Sequence, residues 1–300
     1  MKRGILLVAN YISQDMCANL IYSIRESGCK LPIRIIHFGG KKIENEYILK
    51  EAELLFFENF PAEAKEFILE LKAILTDCPI GFIYRFLAWY MDWDQFIYSD
   101  NDIVAISNWE NLFEYIEDND ILHADCEYQL HGKYSYRKSE GMVEHFGENV
   151  FDKALNAGHF LINKKDKQLA DLKAASLWMK SHADIPIMHD QALVHIASVV
   201  GGWSDKNLCK PGSDWVNPAA TRHKNTLSLI QSLSRQGGKM SHLHYAGWTP
   251  KGDRSIEEIL YSNVDDAQRI QQLTTVGIKK MLFYYKYKRA VKALKRKMRK

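Results

Sequence analysis

The 300-residue sequence lacks the compositional features of fibrous, low-complexity and membrane-spanning proteins. It has only 7 prolines and 17 glycines and no repeat, which excludes fibrous and low-complexity chains. No apolar run approaches the roughly 18 residues that a membrane-spanning helix needs. The apolar run that begins at Ile5 stops before Asn10, so it is too short for a signal peptide and predicts a strand.

Cysteine is scarce, and its spacing is uninformative for metal binding. The chain has 5 cysteines and no Cys-X-X-Cys pair. This odd, scattered set argues for a reducing cytosol and against a zinc site. The length fits one large α/β domain or two small ones, and the 46% hydrophobic content is that of a globular protein.

Acidic residues are absent from the last segment of the chain. Residues 279–300 contain eleven lysines and arginines and no acid, whereas the remaining residues have 29 basic and 37 acidic side chains. The overall net charge of +3 therefore hides an acidic body and a strongly basic tail. We predict a main domain over residues 1–265 and a separate segment over residues 266–300.

Apolar runs separated by helical patterns predict an α/β fold. Residues 5–9, 32–38 and 54–57 are mostly apolar, as expected for strands that are buried on both faces, and a helical pattern lies between the first two. This order predicts a βαβ unit and a mainly parallel sheet flanked by helices. Residues 80–90 predict a helix, and residues 127–150 predict a loop that could cover a site.

Two aspartates follow a predicted buried strand. Asp100 and Asp102 come directly after the apolar residues 96–98, at the strand end where open α/β sheets bind ligands. Two carboxylates held this close repel each other unless a cation lies between them, and Mg²⁺ or Mn²⁺ takes such oxygen ligands together with substrate phosphates. The alternative is a turn in which the aspartates cap backbone N–H groups.

Other polar residues stand at the ends of predicted elements, and each has a structural alternative. Gly158 precedes a strand and permits close approach of a ligand, or it forms a bulge or a tight turn. Asp190 begins a helix, where it could be a simple cap. His244 ends a short strand and could ligate a metal or be structural. Arg85 lies in an aromatic run, where it would pair with a carboxylate or phosphate, or reach to the surface.

Together these stretches resemble the family 8 glycosyltransferases, which have a GT-A (Rossmann-like) fold, use nucleotide sugars and are mostly retaining. Four features match in the family's order over roughly residues 4–251, about four fifths of the chain. They are the aspartate pair, Asn156-Ala157-Gly158 before a strand, Asp190-Gln191 at a helix start, and His244-Tyr245-Ala246-Gly247 with Lys251 close behind.

The resemblance implies roles for the matching positions. Asp100, Asp102 and His244 would bind Mn²⁺ or Mg²⁺, and Asp190 and Gln191 would lie near the anomeric carbon as catalytic residues. The residues implied in binding the nucleotide sugar, which the resemblance gives as a UDP-sugar, are Asn10, Tyr11, Arg85, Asp100, Asn101, Asn156, Ala157, Gly158, Gly247 and Lys251.

The sequence departs from the family pattern at three places. Ala9-Asn10 stands where an acid is common, and Ala192 stands where a third acid or Asn follows the Gln. Trp248-Thr249-Pro250-Lys251 replaces the usual Lys-Pro-Trp. These departures bear on base and sugar preference rather than on the chemistry.

The basic tail predicts the location of the acceptor. Apolar side chains recur along one helical face from Phe283 to Met298, with lysines and arginines on much of the rest. We therefore expect residues 277–300 to form a basic amphipathic helix on an anionic membrane surface, with no nucleic-acid partner. The alternative is a solvated or nucleic-acid-binding tail, which would not need the aromatic face. The tail predicts a cytoplasmic enzyme, peripheral on the inner face of the cell membrane, that acts on a glycan such as lipopolysaccharide. The family resemblance implies that it transfers galactose or glucose with retention. Asp125, at the end of a predicted strand, is a candidate for binding acceptor hydroxyls.

Two other classes of protein remain open at the level of the sequence. A metal-dependent nucleotidyltransferase also combines an open α/β sheet with metal-binding aspartates, although residues 9–17 lack its Gly-rich, basic phosphate loop. A non-catalytic protein of the membrane surface would need the tail but not the grouping of Asp100, Asp102 and His244.

Overall fold

The computed structural model describes residues 1–219 and 238–246 of the chain. Nine strands are present in these residues: β1 (Arg3–Ala9), β2 (Ile33–His37), β3 (Glu53–Phe56), β4 (Gln95–Ser99), β5 (Ile103–Ala105), β6 (Ile121–His123), β7 (His159–Asn163), β8 (Asp205–Asn207) and β9 (His242–His244). Eight α-helices accompany them: α1 (Gln14–Glu26), α2 (Glu46–Glu51), α3 (Ala62–Ile74), α4 (Ile80–Ile83), α5 (Leu112–Ile116), α6 (Ser139–Phe146), α7 (Lys167–Ser181) and α8 (Asp190–Val200).

Seven of the strands form one mixed sheet in the order β3-β2-β1-β4-β7-β6-β8. The first four are mutually parallel, whereas β7 is antiparallel to both of its neighbours, and β6 and β8 are parallel. Strand β4 lies in the middle of this sheet, so its carboxyl end opens at the centre of one sheet edge. The predicted fold class, a mainly parallel sheet flanked by helices, is confirmed.

The apolar strand β1 explains why helices cover both faces of the sheet. Leu6 and Val8 lie in one core with α3, α7 and α8, and Ile5 and Leu7 lie in a second core with α1 and α5. Successive side chains of a strand point to opposite faces, so a continuous apolar run is what a strand between two helical layers requires.

A small second sheet extends the fold beyond the end of β4. Strands β5 and β9 pair antiparallel, with Ile103 opposite His244. This pairing brings a histidine from late in the chain to the residues that follow β4, from which it is more than 140 positions distant in sequence.

Two predicted elements differ from the structure. Residues 80–90 do not form one α-helix, because α4 ends at Ile83 and residues Tyr84–Tyr90 continue as a 3-10 helix. The predicted loop over residues 127–150 contains the two-turn helix α6, which buries Met142 in the core. This helix is too short to give a clear sequence period, and its packing is with residues distant in sequence, such as Ile185 against Gly141.

The predictions about the end of the chain lie outside the described residues. They are the boundary between residues 265 and 266 and the amphipathic helix over residues 277–300, which stay predictions. Across residues 1–219 and 238–246, none of the helices combines the length and the apolar character needed to cross a membrane.

Candidate active site

The end of β4 brings two carboxylates and a histidine together. Asp100 follows the strand directly, and its backbone N–H donates to the Gly158 carbonyl at 2.7 Å. The pairing of β5 with β9 then places the His244 ring nitrogen Nε2 3.3 Å from Asp102 Oδ1. One potential ligand atom from each of Asp100, Asp102 and His244 lies within 4.8 Å of the other two.

The electrostatics of these three residues fit a bound cation. Burial raises the pKa of Asp100 to about 6, and the nearby charge of Asp102 adds to this, although Arg85 opposes it. Burial alone would lower the pKa of His244, but the hydrogen bond and the charge of Asp102 outweigh it and raise the pKa. Asp102 Oδ1 is buried and lies 3.3 Å from His244 Nε2. Two carboxylate oxygens and an imidazole nitrogen are ligands that Mn²⁺ and Mg²⁺ sites can use, so the residues fit such a metal.

Arg85 is buried, only 1% exposed, and links the aspartate pair to helix α8. Its Nη2 lies 3.1 Å from Asp100 Oδ1 and its Nη1 lies 2.9 Å from Asp190 Oδ2. The guanidinium also donates to the carbonyls of Ala157 and Phe82. From the sequence, Arg85 could either pair with a carboxylate or phosphate or reach to the surface. The structure shows that it pairs with carboxylates and does not reach the surface.

The turn before β7 is fixed to both the aspartate pair and the histidine. Asn156 Oδ1 accepts a hydrogen bond from Gly158 N at 2.9 Å, and the Ala157 carbonyl accepts one from Arg85. A Cβ atom at position 158 would lie 2.2 Å from His244 Cε1. A side chain is therefore excluded at Gly158 by the histidine of this site.

Asp190 and Gln191 open helix α8 beside this turn. His189 caps the helix through Nδ1, which accepts from Ala192 N at 3.3 Å, so the Asp190 carboxylate is left to pair with Arg85. The Gln191 side chain donates from Nε2 to Ser135 Oγ at 2.9 Å, and its Oε1 lies 3.4 Å from Ala157 N. Both side chains are thereby fixed in orientation.

The site residues line a cavity of about 660 Å³. Its walls include most of the predicted binding and catalytic residues, namely Asn10, Arg85, Asp100, Asn101, Asp102, Asn156, Ala157, Gly158, Asp190, Gln191 and His244. Tyr11 is not among the lining residues, and Lys41 Nζ lies 3.4 Å from the centroid of its ring. Gly247 and Lys251 lie outside the described residues.

Among the lining residues that the sequence did not predict are three aromatic side chains, those of Tyr98, Phe38 and Phe82. Tyr98 donates its hydroxyl to Asp100 Oδ1 at 2.6 Å, and the Arg85 guanidinium lies 4.2 Å from the centre of its ring. Phe38 and Phe82 add apolar walls. Tyr98 could have been found, because in a strand the side chain two residues before Asp100 lies on the same face. The two phenylalanines had no sequence signal.

Asp125 lies in the wall of a second cavity, which adjoins the first and shares part of its lining. Its carboxylate is buried, and its two oxygens accept from Asn156 N at 2.9 Å, from Glu127 N at 2.9 Å and from the His123 ring at 2.7 Å. Although burial would raise the pKa of Asp125, these partners lower it. Three donors of the protein thus hold this carboxylate in the cavity wall, and its role in binding acceptor hydroxyls stays a prediction.

Comparison with known proteins gives one family match and no curated relative. Residues 2–123, less than half of the chain, match a family model described as "Mannosyltransferase putative". No protein of curated function matches the chain.

Several solved structures share the fold over most of the chain. The galactosyltransferase LgtC, in complex with donor and acceptor sugar analogues, is 19% identical, with a TM-score of 0.54 over 91% of this chain and 96% of LgtC. Mouse xyloside xylosyltransferase 1 is 12% identical, with a TM-score of 0.50 over 83% of this chain and 99% of that protein. The bifunctional glycosyltransferase WbbM is 13% identical, with a TM-score of 0.51 over 93% of this chain.

The chain spans about half the length of WbbM, with 51% of that protein covered. At these identities the similarity establishes a common GT-A fold, as the sequence resemblance implied. Together with the family match, it supports a glycosyltransferase. Membership of family 8 in particular stays a prediction.

Proposed function

We propose that this chain is a metal-dependent glycosyltransferase that moves a hexose from a nucleotide sugar to a glycan acceptor, with retention. The observation that carries the proposal is the grouping of Asp100, Asp102 and His244 in one cavity with Arg85 and Asp190. The sequence resemblance, the fold and the family match all favour a glycosyltransferase over a nucleotidyltransferase or a non-catalytic protein of the membrane surface.

The donor is a nucleotide-linked hexose, and we propose glucose or galactose carried on UDP. The family match adds a second candidate, a nucleotide-linked mannose. Bound to Asp100, Asp102 and His244, Mn²⁺ or Mg²⁺ would neutralise the charge that develops on the diphosphate as it leaves. Lys251, outside the described residues, is proposed to add a further positive charge.

The chain's own residues orient the reacting sugar. Arg85 fixes the carboxylates of Asp100 and Asp190 relative to each other, and the Asn156 to Gly158 turn forms the floor beside them. The carboxylate of Asp190 is paired with a guanidinium, which makes it a weaker nucleophile than an unpaired carboxylate. We therefore assign Asp190 to electrostatic stabilisation of the oxocarbenium-like centre, with Gln191 positioned beside it.

The acceptor is proposed to be a membrane-associated glycan, such as lipopolysaccharide, reached through the basic segment over residues 277–300. This part rests on the sequence alone. Deletion of residues 277–300 should move the protein from the membrane fraction to the supernatant of cell lysates. Unchanged fractionation would refute the membrane role and leave the glycosyl transfer untouched.

The decisive experiment is hydrolysis of a panel of nucleotide sugars, including linked glucose, galactose and mannose, with Mn²⁺ and with EDTA. We expect slow release of nucleotide diphosphate from one donor, lost in EDTA and reduced about 100-fold or more in Asp102→Ala. Asp118→Ala is the matched control. Asp118 is exposed and precedes β6, so it lies near the amino ends of the strands, whereas the site lies at the carboxyl end of β4.

Each alternative function predicts a different outcome. A nucleotidyltransferase would instead form nucleotide sugars from nucleoside triphosphates and sugar phosphates in the presence of the metal. A non-catalytic membrane protein would bind neither nucleotide nor Mn²⁺, and the proposal would then fail.

A further inference from the structure

Ser135 lies outside both cavities but contacts a residue of the candidate active site. It is buried, and its hydroxyl oxygen accepts a hydrogen bond from Gln191 Nε2 at 2.9 Å. Gln191 lines both cavities, whereas Ser135 lines neither. We infer that Ser135 is a positioning residue, which fixes the side-chain amide of Gln191 for glycosyl transfer. The inference rests on the proposed function and adds to it a residue that lies 56 positions from Gln191 in the sequence.

The two neighbours of the Gln191 amide permit one orientation. The backbone N–H of Ala157 can only donate, and Gln191 Oε1 lies 3.4 Å from this nitrogen. If the amide turned over, its NH₂ group would face this N–H, so that two donors would meet. On the other side, Ser135 Oγ has lone pairs that accept the NH₂ group at 2.9 Å. Because the contact with Ala157 is long, the shorter bond to Ser135 is the stronger restraint on the amide.

The backbone of Ser135 is fixed independently of its hydroxyl. Its N–H donates to the Gly132 carbonyl at 2.8 Å, and its own carbonyl accepts from Ile187 N at 2.9 Å. The preceding carbonyl, that of Tyr134, accepts from His189 Nε2 at 3.0 Å, at the start of helix α8. Replacing Ser135 by alanine removes one hydroxyl and keeps these three bonds, so we expect the variant to fold.

The orientation of this amide should affect the rate rather than the binding of the donor. Without the bond to Ser135, the Gln191 side chain can rotate away from the anomeric carbon, and a displacement of about 1 Å in an active site can cost about 100-fold in rate. Supporting groups of this kind typically contribute about 10–100-fold. Ser135 bonds to neither Arg85 nor a proposed metal ligand, so the diphosphate should bind as before.

The test is hydrolysis by full-length Ser135→Ala of the nucleotide sugar that the wild type hydrolyses with Mn²⁺. We expect kcat to fall at least about tenfold and the KM of the donor to stay within about twofold. Ser198→Ala is the matched control and should keep its kcat within about twofold. Ser198 is also buried, but its hydroxyl donates to the His195 carbonyl at 2.7 Å within helix α8. An unchanged kcat in Ser135→Ala, or an equal fall in Ser198→Ala, would overturn the inference.

A double variant shows whether Ser135 acts through Gln191. If it does, loss of the hydroxyl changes nothing once the amide has gone. Gln191→Ala and the double variant Ser135→Ala/Gln191→Ala should therefore hydrolyse the donor at rates within about twofold of each other. The same cycle measured by denaturant unfolding needs no residual activity, and there the double variant should lose less stability than the two single variants summed. Additive losses in either measurement would overturn the inference.

Two further measurements separate this inference from the proposed function. If the wild type hydrolyses no nucleotide sugar, the proposed function fails. If the wild type is active and Ser135→Ala keeps its full rate, only the role of Ser135 fails. Mn²⁺ should raise the thermal unfolding temperature equally in the wild type and in Ser135→Ala, because the hydroxyl bonds to Gln191 and not to a metal ligand. Loss of this stabilisation would mean that Ser135 supports the metal site instead, and would overturn the inference.

Discussion

The buried guanidinium of Arg85 forms an ion pair of 2.9 Å with Asp190, which is partly exposed at the start of helix α8. The same guanidinium lies 3.1 Å from Asp100, so one side chain spans two carboxylates. The carboxylates raise the pKa of Arg85 despite its burial, which keeps it charged. The relative position of the proposed metal ligand and the proposed stabilising carboxylate thus depends on a single residue.

Arg85→Lys should therefore lower both stability and activity. A lysine ammonium is a single point charge and cannot span both carboxylates as the guanidinium does, so one of them is left buried without its partner. We expect the free energy of unfolding to fall by about 3 kcal/mol and donor hydrolysis to fall with it. Denaturant unfolding and the hydrolysis assay measure the two effects.

Arg34→Lys is the matched control for this change. Arg34 also spans two carboxylates, at 2.8 Å from Glu53 and 2.6 Å from Asp92, but both partners are more than half exposed. Solvent screening limits such pairs to about 0–1 kcal/mol. Similar losses of unfolding free energy in the two variants would show that burial does not increase the contribution of the Arg85 ion pairs to stability.

Gly158→Ala should abolish metal binding without unfolding the chain. The added Cβ would lie 2.2 Å from His244 Cε1, so the histidine would have to leave its place beside Asp102. In the wild type, Mn²⁺ at 100 times its dissociation constant should stabilise the fold by about 2.7 kcal/mol, and we expect the variant to lose most of this. Thermal unfolding with and without Mn²⁺ measures it.

A second glycine provides the control for that experiment. Gly40 has no atom within 4 Å of the position of an added Cβ, so Gly40→Ala should keep the full stabilisation by Mn²⁺. Retention of that stabilisation in Gly158→Ala would mean that His244 is not a ligand.

His195 should make the stability of the fold depend on pH. It is buried in helix α8, accepts from the Tyr136 hydroxyl and donates to the Val150 carbonyl, and burial lowers its pKa from 6.5 to about 4. Between these values the unfolded chain binds more protons than the folded one, so stability is lost as pH falls from 6.5 towards 4. We expect this residue to contribute about 2 kcal/mol to the difference in unfolding free energy between pH 7 and pH 5.

His195→Gln should reduce that difference by the same amount, because the amide retains a donor and an acceptor but does not titrate. His131→Asn is the control, since His131 is exposed and its φ of 47° is one that asparagine tolerates. Denaturant unfolding of the three proteins at pH 7 and pH 5 tests this. Equal pH dependence in His195→Gln and the wild type would contradict it.

The sequence could predict what depends on local pattern and on strand ends. Asp100 and Asp102 follow an apolar run, and the carboxyl end of a central strand is where α/β proteins gather polar side chains. The sequence could not predict features that depend on contacts between residues that are distant along the chain. The exclusion of a side chain at Gly158 is set by His244, 86 positions away, and the network around Asp125 is completed by the backbone of Asn156. Helix α6 was missed because its two turns are stabilised by packing rather than by a local period.

Asp125→Asn should impair catalysis by loosening the turn that lines the sugar pocket. The carboxylate accepts from Asn156 N and from His123 through the same oxygen and from Glu127 N through the other, and an asparagine must turn its NH₂ group toward one of these donors. Loss of a supporting partner typically costs about 10–100-fold, and we expect this loss in kcat with a smaller change in the KM of the donor. Asp171→Asn is the control, because Asp171 accepts from Trp203 Nε1 at 2.7 Å on helix α7, where it takes no part in the lining of either cavity. A fall in donor affinity alone would assign Asp125 to ligand binding instead of positioning, and unchanged kinetics would show that the Asn156 turn keeps its geometry without the carboxylate.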